Sequence, residues 1–300
     1  MTRRLLVIIN ELGGSTLARR VRRIAGAVLS SASIEHDIVS TRSMREIRRR
    51  AARAADDGFT EIGCVGGDGT IGMIANEVAD DPIVLSIIPG GTGNILAKHL
   101  MIPMALRPAL AVVVHSDRVV ALDAIDRDGR LHLLNLSMGL SSVAMTDIDG
   151  RMKRLLGMAA YFISVLSHLA RRGPVRFRVS ADGVTRTVRA REAMLTNAGF
   201  SRTTLAPLFS TSRATDGLME LSVFHMGGGR GLLSLLSDVV MKRARLRSRY
   251  MLRLVVAESI ELSSDPPLPV QADGDPVGEG SVRAVVRRSA VRVRVPQAYR

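Results

Sequence analysis

Three short apolar runs, each ending on a glycine-rich loop, constrain this chain more than any other feature. Leu5 to Ile9 leads into Asn10 to Gly14, Ile62 to Val65 into Gly66 to Gly72, and Ile83 to Ile88 into Pro89 to Asn94. Apolar runs of this length bounded by turn residues read as buried strands. Between them lie an Arg-rich helical stretch carrying Arg19, Arg20, Arg22 and Arg23, a further strand at His36 to Val39, and a second Arg-rich helix. Strands separated by helices imply βαβ units, hence a doubly wound parallel α/β domain. Ligands of such sheets bind outside the carboxyl ends of the strands, so the three loops are the places to look for a site.

From about Leu122 the pattern changes to short alternating segments: Leu131 to Leu136, Val175 to Val179, Val184 to Val188, Ala193 to Thr196, Leu218 to Phe224, Ser259 to Leu262 and Val282 to Val286. Alternation over runs this short predicts an antiparallel sheet domain. Two helical stretches interrupt it, one from about Arg154 to Arg171 and one from about Gly231 to Arg247. Their apolar cores, Leu155 to Leu169 and Leu232 to Met241, are shorter than the roughly 18 to 20 residues a membrane span needs and are broken by Ser164, His168 and Asp238. The expected division is 1–122 for an α/β domain and 123–300 for a β-rich domain, with the last strand a candidate to return to the first.

The net charge of +14 comes almost wholly from arginine, since Lys98, Lys153 and Lys242 are the only lysines. Such a field attracts polyanions, whether nucleic acid, anionic lipid or polyphosphate, although a solvated arginine-rich surface accounts for it equally well. Nucleic acid is the weakest of these partners, because aromatic residues are 3% of the chain, tryptophan is absent and the arginines are spread over helices. Cys64 stands alone, which excludes an internal disulfide and a cysteine metal site and suits a reducing cytoplasm. The six histidines, His36, His99, His115, His132, His168 and His225, show no metal-ligand spacing and are assigned no catalytic role.

Gly66-Gly67-Asp68-Gly69-Thr70 follows a strand directly and opens a helical stretch. Glycines there let backbone N–H groups reach phosphate oxygens, and a helix N-terminus adds partial positive charge. A carboxylate among such amides repels a bare anion, so Asp68 points to a magnesium-bound nucleotide. The plainer alternative is a strand-to-helix turn with Asp68 as a cap. Pro89-Gly90-Gly91-Thr92-Gly93-Asn94 supplies a second loop of the same kind after the neighbouring strand. Asp273-Gly274-Asp275-Pro276 offers carboxylates suited to accepting a hydroxyl proton, although Asp-Gly is also strong hairpin chemistry.

With these residues in hand, the chain resembles the diacylglycerol kinase catalytic-domain family, which includes bacterial lipid kinases similar to sphingosine kinases. The likeness rests on GGDGT at 66–70, PGGTGN at 89–94 followed by Leu96-Ala97, NLSMG at 135–139, Asp216-Gly217-Leu218 and Asp273-Gly274-Asp275, in the family's order over almost the whole chain. GGDGT by itself is shared with NAD kinases, so the series makes the assignment specific. The resemblance implies an N-terminal α/β nucleotide domain, a C-terminal antiparallel β-sandwich-like domain and an active site in the cleft between. It further implies ATP and Mg²⁺ as cofactors and a diacylglycerol-like lipid as phosphoryl acceptor. Carried onto this chain, Asn10, Glu11, Leu12, Gly13 and Gly14 form a first nucleotide loop and Thr41 approaches the nucleotide. Gly66, Gly67, Asp68, Gly69, Thr70, Ile71 and Gly72 cradle the phosphates, with Thr92 and Asn94 as further contacts. Asp275 is the first candidate for the proton acceptor and Asp273 the second, with Asp68 also counted catalytic. Asp216, with the carbonyls of Arg213 and Leu218, corresponds to a structural Mg²⁺ site.

This chain departs from the family pattern at Glu11 (usually Pro), Gly72 (where the loop usually runs on to x-Asn), Ile95 and Ser141 (commonly Asp), and Asp275 (usually Glu). An NAD kinase-like enzyme and a catalytically weak lipid- or nucleotide-binding relative are the alternatives. The expected setting is cytoplasmic, with peripheral contact to an anionic membrane surface through arginine, above all the cluster Lys242, Arg243, Arg245, Arg247 and Arg249. A homodimer is compatible with this reading.

Overall fold

The computed structural model describes residues 3–11, 15–147, 173–198, 213–225 and 251–299. It divides into two compact units, Met1–Leu122 with Arg288–Arg300, and Asp123–Arg287. The two helical stretches expected at 154–171 and 231–247, and the basic cluster from Lys242 to Arg249, lie outside the described residues. Among the described residues no helix is long and apolar enough to cross a membrane.

The first unit is a parallel sheet with helices on its faces. Its strands are β1 (Arg4–Asn10), β2 (Glu35–Thr41), β3 (Glu61–Gly66) and β4 (Val84–Pro89), in the order β2-β1-β3-β4, and the end of β16 (Ser281–Arg294) joins parallel to β4. The chain leaves β1 for β2 on one side and returns to β3 on the other, so strand order reverses between β1 and β3. That reversal opens a crevice at the carboxyl ends. β1 and β3 are buried throughout their centres because helices cover both faces, as a near-continuous apolar run requires. The helices are α1 (Ser15–Ser31), α2 (Met44–Ala52), α3 (Asp68–Glu77), α4 (Ile95–His99) and α5 (Leu106–His115).

One buried ion cluster ties the last strand into this unit. Glu61 on β3, 1% exposed, accepts from Arg294 Nε (3.0 Å) and Nη2 (2.8 Å) and from Arg3 Nε (2.7 Å) and Nη2 (3.0 Å), and also from the Ser86 hydroxyl. Burial raises the Glu61 carboxyl, but the Arg294 and Arg3 guanidinium groups outweigh it and hold the group below its ordinary 4.5.

The second unit stacks two antiparallel sheets. One runs from the start of β16 to β13 (Ser259–Asp265), β8 (Val175–Ala181) and β9 (Val184–Ala190). The other has the order β12 (Met251–Val256), β11 (Met219–Phe224), β10 (Glu192–Thr196), β7 (Asn135–Gly139), β14 (Pro269–Ala272), β15 (Asp275–Glu279). Alternate residues of both, such as Phe177, Val179, Ile260 and Leu262 against Leu136, Met138, Leu195 and Leu221, share one apolar core. That is the sandwich arrangement expected of period-two strands. α6 (Leu140–Asp147) packs on β7, β14 and β15.

Two expected segments come out differently. The single run expected at Leu131 to Leu136 is β6 (Arg130–His132) and then β7, because the amides of Leu133, Leu134 and Asn135 are taken by the Asp273 carboxylate instead of a strand partner. β5 (Val119–Arg127), β12, β14 and β15 are strands beyond those expected, and β16 is far longer than the expected Val282 to Val286.

Replacing Glu61 with Gln leaves the buried Arg294 guanidinium without its counter-charge, and is expected to cost about 3–5 kcal/mol in urea unfolding at pH 7. The wild-type carboxyl is depressed in the folded state, so its stabilisation is complete above about pH 4.5 and is lost as pH falls through the lower folded value. Unfolding free energies that fall equally with acid in the two proteins would show that Glu61 is not the group responsible.

Candidate active site

In the first unit the two glycine loops press against each other. Gly90 N donates to Gly66 O at 2.9 Å, and a Cβ built on Gly91 would lie 2.5 Å from Gly67 Cα. No side chain larger than hydrogen fits at that crossing. Asp68 completes the join: its two carboxylate oxygens accept from Ile95 N and Leu96 N, each at 3.0 Å. Asp68 therefore caps a helix, but it is α4 rather than the helix it begins. Asn94, at φ 48°, holds the second loop by accepting from Gly91 N (2.9 Å) and donating to Gly91 O (2.7 Å). Ile95, at a position where the family commonly carries Asp, takes part in this join through its backbone N–H alone.

This arrangement leaves the start of α3 without a side-chain cap, since Gly67 is its N-cap and bonds no N–H through a side chain. Gly69 and Gly72 face open space where a side chain would stand. Uncapped amides beside open space are what a phosphate group requires, so these residues fit a nucleotide. Thr70 is buried, receiving a hydrogen bond from Asn10 Nδ2 at 2.8 Å that links the loop after β1 to the loop after β3. Ile71 turns its side chain wholly into the core, leaving only its backbone near the loop. Thr92 is exposed.

Glu11 accepts from Ser40 Oγ (2.6 Å) and pairs with Arg42 (3.6 Å), while Thr41 Oγ1 accepts from Ser43 N (3.1 Å). Leu12, Gly13 and Gly14 lie outside the described residues. A cleft of about 520 Å³ borders the carboxyl ends of β1, β3 and β4, lined by Asn10, Val65, Pro89 and Gly90 with Arg20 of α1 and Arg107 of α5. A larger hollow of about 770 Å³ lies along β2 with Arg22, Arg23 and Arg50, and none of the glycine loops lines it.

In the second unit the Asp273-Gly274 pair is the turn of the β14–β15 hairpin. Both residues have positive φ, 52° and 92°, as a type I′ turn needs. The Asp273 carboxylate is fully engaged, accepting from Leu133 N (2.8 Å), Leu134 N (2.9 Å) and Asn135 N (3.0 Å). Asp182, in the turn of the β8–β9 hairpin, grips Ala257, Glu258 and Ser259 amides in the same way, at 2.8 to 2.9 Å. Asp275 differs: it is exposed at the start of β15, and its carboxylate makes no hydrogen bond or ion pair among the described residues. Of the two candidate proton acceptors, only Asp275 keeps its oxygens available.

Two ionisable groups here escaped the sequence. His132, 3% exposed, sits 3.9 Å from Asp273 by Nδ1, and its Nε2 has no partner among the described residues. Burial, helped by the positive charges of Arg130 and Arg127, pushes it down to about 4 and keeps it neutral. Glu192 on β10 is buried and pushed up to about 7 by desolvation, against hydrogen bonds from the Ser141 hydroxyl and the Ser141 amide. It brings a carboxyl beside Ser141, where family members commonly carry Asp. A lone Glu in the alternating segment EAMLT gives no sequence signal of this.

The Arg213–Leu218 loop is an Asx-type turn, with Leu218 N donating to Asp216 Oδ1 (3.0 Å) and Asp216 N to Arg213 O (3.3 Å). Gly217, at φ 71°, is anchored by Asp123 Oδ2 (2.7 Å). No group of three or more His, Cys, Asp or Glu suited to a metal occurs among the described residues. A cation at this turn would thus rest on the Asp216 carboxylate with backbone carbonyls, an all-oxygen donor set that fits Mg²⁺.

The comparisons with known proteins agree with this architecture. Residues 4–124 match the model of the diacylglycerol kinase catalytic domain, and residues 135–295 match that of the YegS C-terminal NAD kinase beta sandwich-like domain. The chain belongs to the diacylglycerol kinase catalytic-domain family. Diacylglycerol kinases of Staphylococcus aureus strains JH9 and NCTC 8325 are each 29% identical over 189 residues, 61% of this chain, and the match spans 58% of the length of those relatives. A crystal structure from Bacillus anthracis str. Sterne, described as that of a diacylglycerol kinase, aligns with TM-score 0.78 at 19% identity over 99% of this chain and 98% of its own. Another from the same organism aligns with TM-score 0.81 at 19% identity, over 99% and 97%. At that identity the structures speak for the fold, an N-terminal parallel α/β domain with a C-terminal antiparallel one.

Gly91→Ala is expected to cost about 1–3 kcal/mol in urea unfolding, whereas Gly69→Ala, in open space, should leave stability within a few tenths. Equal effects would show that the loop crossing is not tight. Glu192 and His132 act on stability with opposite signs. Folding takes up a proton at Glu192 between about pH 4.5 and 7, so its contribution weakens as pH rises; folding releases one at His132 between about 4 and 6.5, so its contribution strengthens. Denaturation of Glu192→Gln from pH 4.5 to 7 should therefore show a steeper gain with pH than wild type, and His132→Gln a steeper loss.

Proposed function

We propose that this protein is an ATP-dependent lipid kinase that transfers the γ-phosphoryl group of ATP to the hydroxyl of a diacylglycerol-like lipid, giving a phosphatidic-acid-like product. The observation that carries the reading is the contrast at the β14–β15 turn: Asp273 is consumed in holding the hairpin, and Asp275 is left with free oxygens. In this reading Asp275 accepts the alcohol proton as the new O–P bond forms, the bond to the ADP bridging oxygen breaks and ADP departs. The nucleotide is held by the glycine loops of the first unit: Gly66 to Gly72, with the Asn10 loop, Thr41, Thr92 and Asn94 as further contacts. Asp68 serves the nucleotide indirectly, by keeping the second loop against the first.

Mg²⁺ at the nucleotide would offset its charge, and a second Mg²⁺ would be held by Asp216 with the carbonyls of Arg213 and Leu218. The family membership and the lipid kinases among the relatives favour this over NAD phosphorylation, although the second domain's model carries an NAD kinase-like description. Contact with an anionic bilayer follows from the basic surface, where each arginine close to the lipid contributes about 1 kcal/mol. Arg19, Arg20, Arg22 and Arg23 of α1 are the described candidates.

Transfer of labelled phosphate from ATP, measured against a panel of diacylglycerol, sphingosine-type lipids and NAD, tests the reading. Wild type should label diacylglycerol, Asp275→Asn should lose about 10²- to 10⁴-fold in kcat with KM for ATP unchanged, and Asp275→Glu should keep most activity. Labelled NAD with unlabelled lipid would overturn it. ATP binding without turnover on any acceptor would instead make the chain a catalytically weak relative.

A further inference from the structure

The second-unit sheet that carries the β14–β15 hairpin has an apolar face in the core and an opposite face that is polar yet buried. Asn135, Ser137, Glu192 and Gln271 point to that side, each no more than 8% exposed, and α6 packs on this sheet at β7, β14 and β15. Polar groups shut away from water persist only where they satisfy one another. Here they do so in a single line. Gly274 N donates to Gln271 Oε1 (2.8 Å), and Gln271 Nε2 donates to Ser137 Oγ (2.7 Å) and to Asn135 Oδ1 (2.8 Å). Ser137 Oγ lies 2.7 Å from Ser141 Oγ, whose hydroxyl donates to Glu192 Oε1, while Ser141 N donates to Glu192 Oε2 at 2.8 Å.

The donors follow one direction. With the Ser141 hydroxyl given to Glu192, Ser141 Oγ receives from Ser137, and Ser137 Oγ receives from Gln271. Gln271 then has only its carbonyl oxygen left for Gly274. Glu192 ends the line as an acceptor on both oxygens, one taking the Ser141 hydroxyl and the other the Ser141 amide. Register supports it: Ser137 sits opposite Gln271 across β7 and β14, and Glu192 opposite Gly139 across β10 and β7. The line thus crosses three adjacent strands and ends on the amide one residue before Asp275.

We infer that Glu192 is a positioning residue, which acts through Ser141, Ser137 and Gln271 to hold the Gly274 amide and so aim the Asp275 carboxylate. The inference rests on the proposed function for what Asp275 does, but not for the coupling itself. Asp273 anchors the same turn from its other side through the 133–135 amides, so the hairpin tip is held at both central residues. That is the precision a proton acceptor needs, since a displacement of about 1 Å can cost a hundredfold in rate.

The test compares wild type, Ser137→Ala, Gln271→Met and Glu192→Gln by two readouts. The first is hydrogen exchange at the 271–276 turn, with the β8–β9 hairpin, held independently by Asp182, as the internal control. Protection at the turn should drop about tenfold in each variant while the control hairpin is unmoved. The second is kinetics with ATP and diacylglycerol-containing vesicles, where kcat should fall about tenfold with KM for ATP unchanged, and the Ser137→Ala/Gln271→Met double variant should be no worse than the worse single one. Unchanged turn protection, equal loss in both hairpins, or loosened turns with kcat within twofold of wild type would each overturn the inference. Should Glu192→Gln fail to fold, Ser137→Ala, which removes a single hydroxyl, decides the matter. If wild type phosphorylates no lipid, the functional reading falls, and turn protection alone decides whether the line holds the hairpin.

Discussion

The first unit depends on the contact between a carboxylate and the start of a helix 27 residues further on. Asp68 accepts from the first two amides of α4, and that pair of bonds brings the loop after β4 against the loop after β3. The Asp68 charge is directed at the N-terminus of α4, where it is favourable, instead of at the amides that open α3. Once Asp68 is so engaged, α3 keeps an uncapped start facing open space. The glycines share the labour unequally: Gly67, Gly90 and Gly91 let two backbones cross, and Gly69 and Gly72 leave room beyond them.

The second unit uses carboxylates to the same end with different partners. Asp182 and Asp273 each occupy the first position of an Asp-Gly turn, and each gathers three consecutive amides from a segment remote in sequence. A loop whose amides cannot join a strand ladder is thereby satisfied by one side chain. Burial alone would raise the Asp182 carboxyl, but the amides of Ala257, Ser259 and Glu258 outweigh it and keep the group below its ordinary value. Where the family pattern has two acidic residues flanking a glycine, this chain has one engaged by three amides and one shorter, exposed side chain.

The buried polar face beneath α6 follows from the same need for mutual satisfaction. The alternation in NLSMG and EAMLT is visible in the sequence, and so is the apolar half of it. What the polar half faces is not visible, since Ser137, Glu192 and Gln271 come from segments more than 50 residues apart and meet only through strand register. His132 is hidden for the same reason: its neutrality is set by burial first and then by Arg130 and Arg127, none of which a spacing rule reports.

By itself the sequence determined the kind of element that most of the described segments form, and it pointed to the carboxyl ends of the parallel strands as the place for a ligand. Period-two and continuous apolar runs, and glycines at strand ends, are local physics that acts within a few residues. It also displayed both meanings of Asp68 and Asp273 without choosing between them. Only the tertiary structure shows which donors reach each carboxylate. Those donors, the amides of 95–96 and of 133–135, are brought there by strand pairing over long separations.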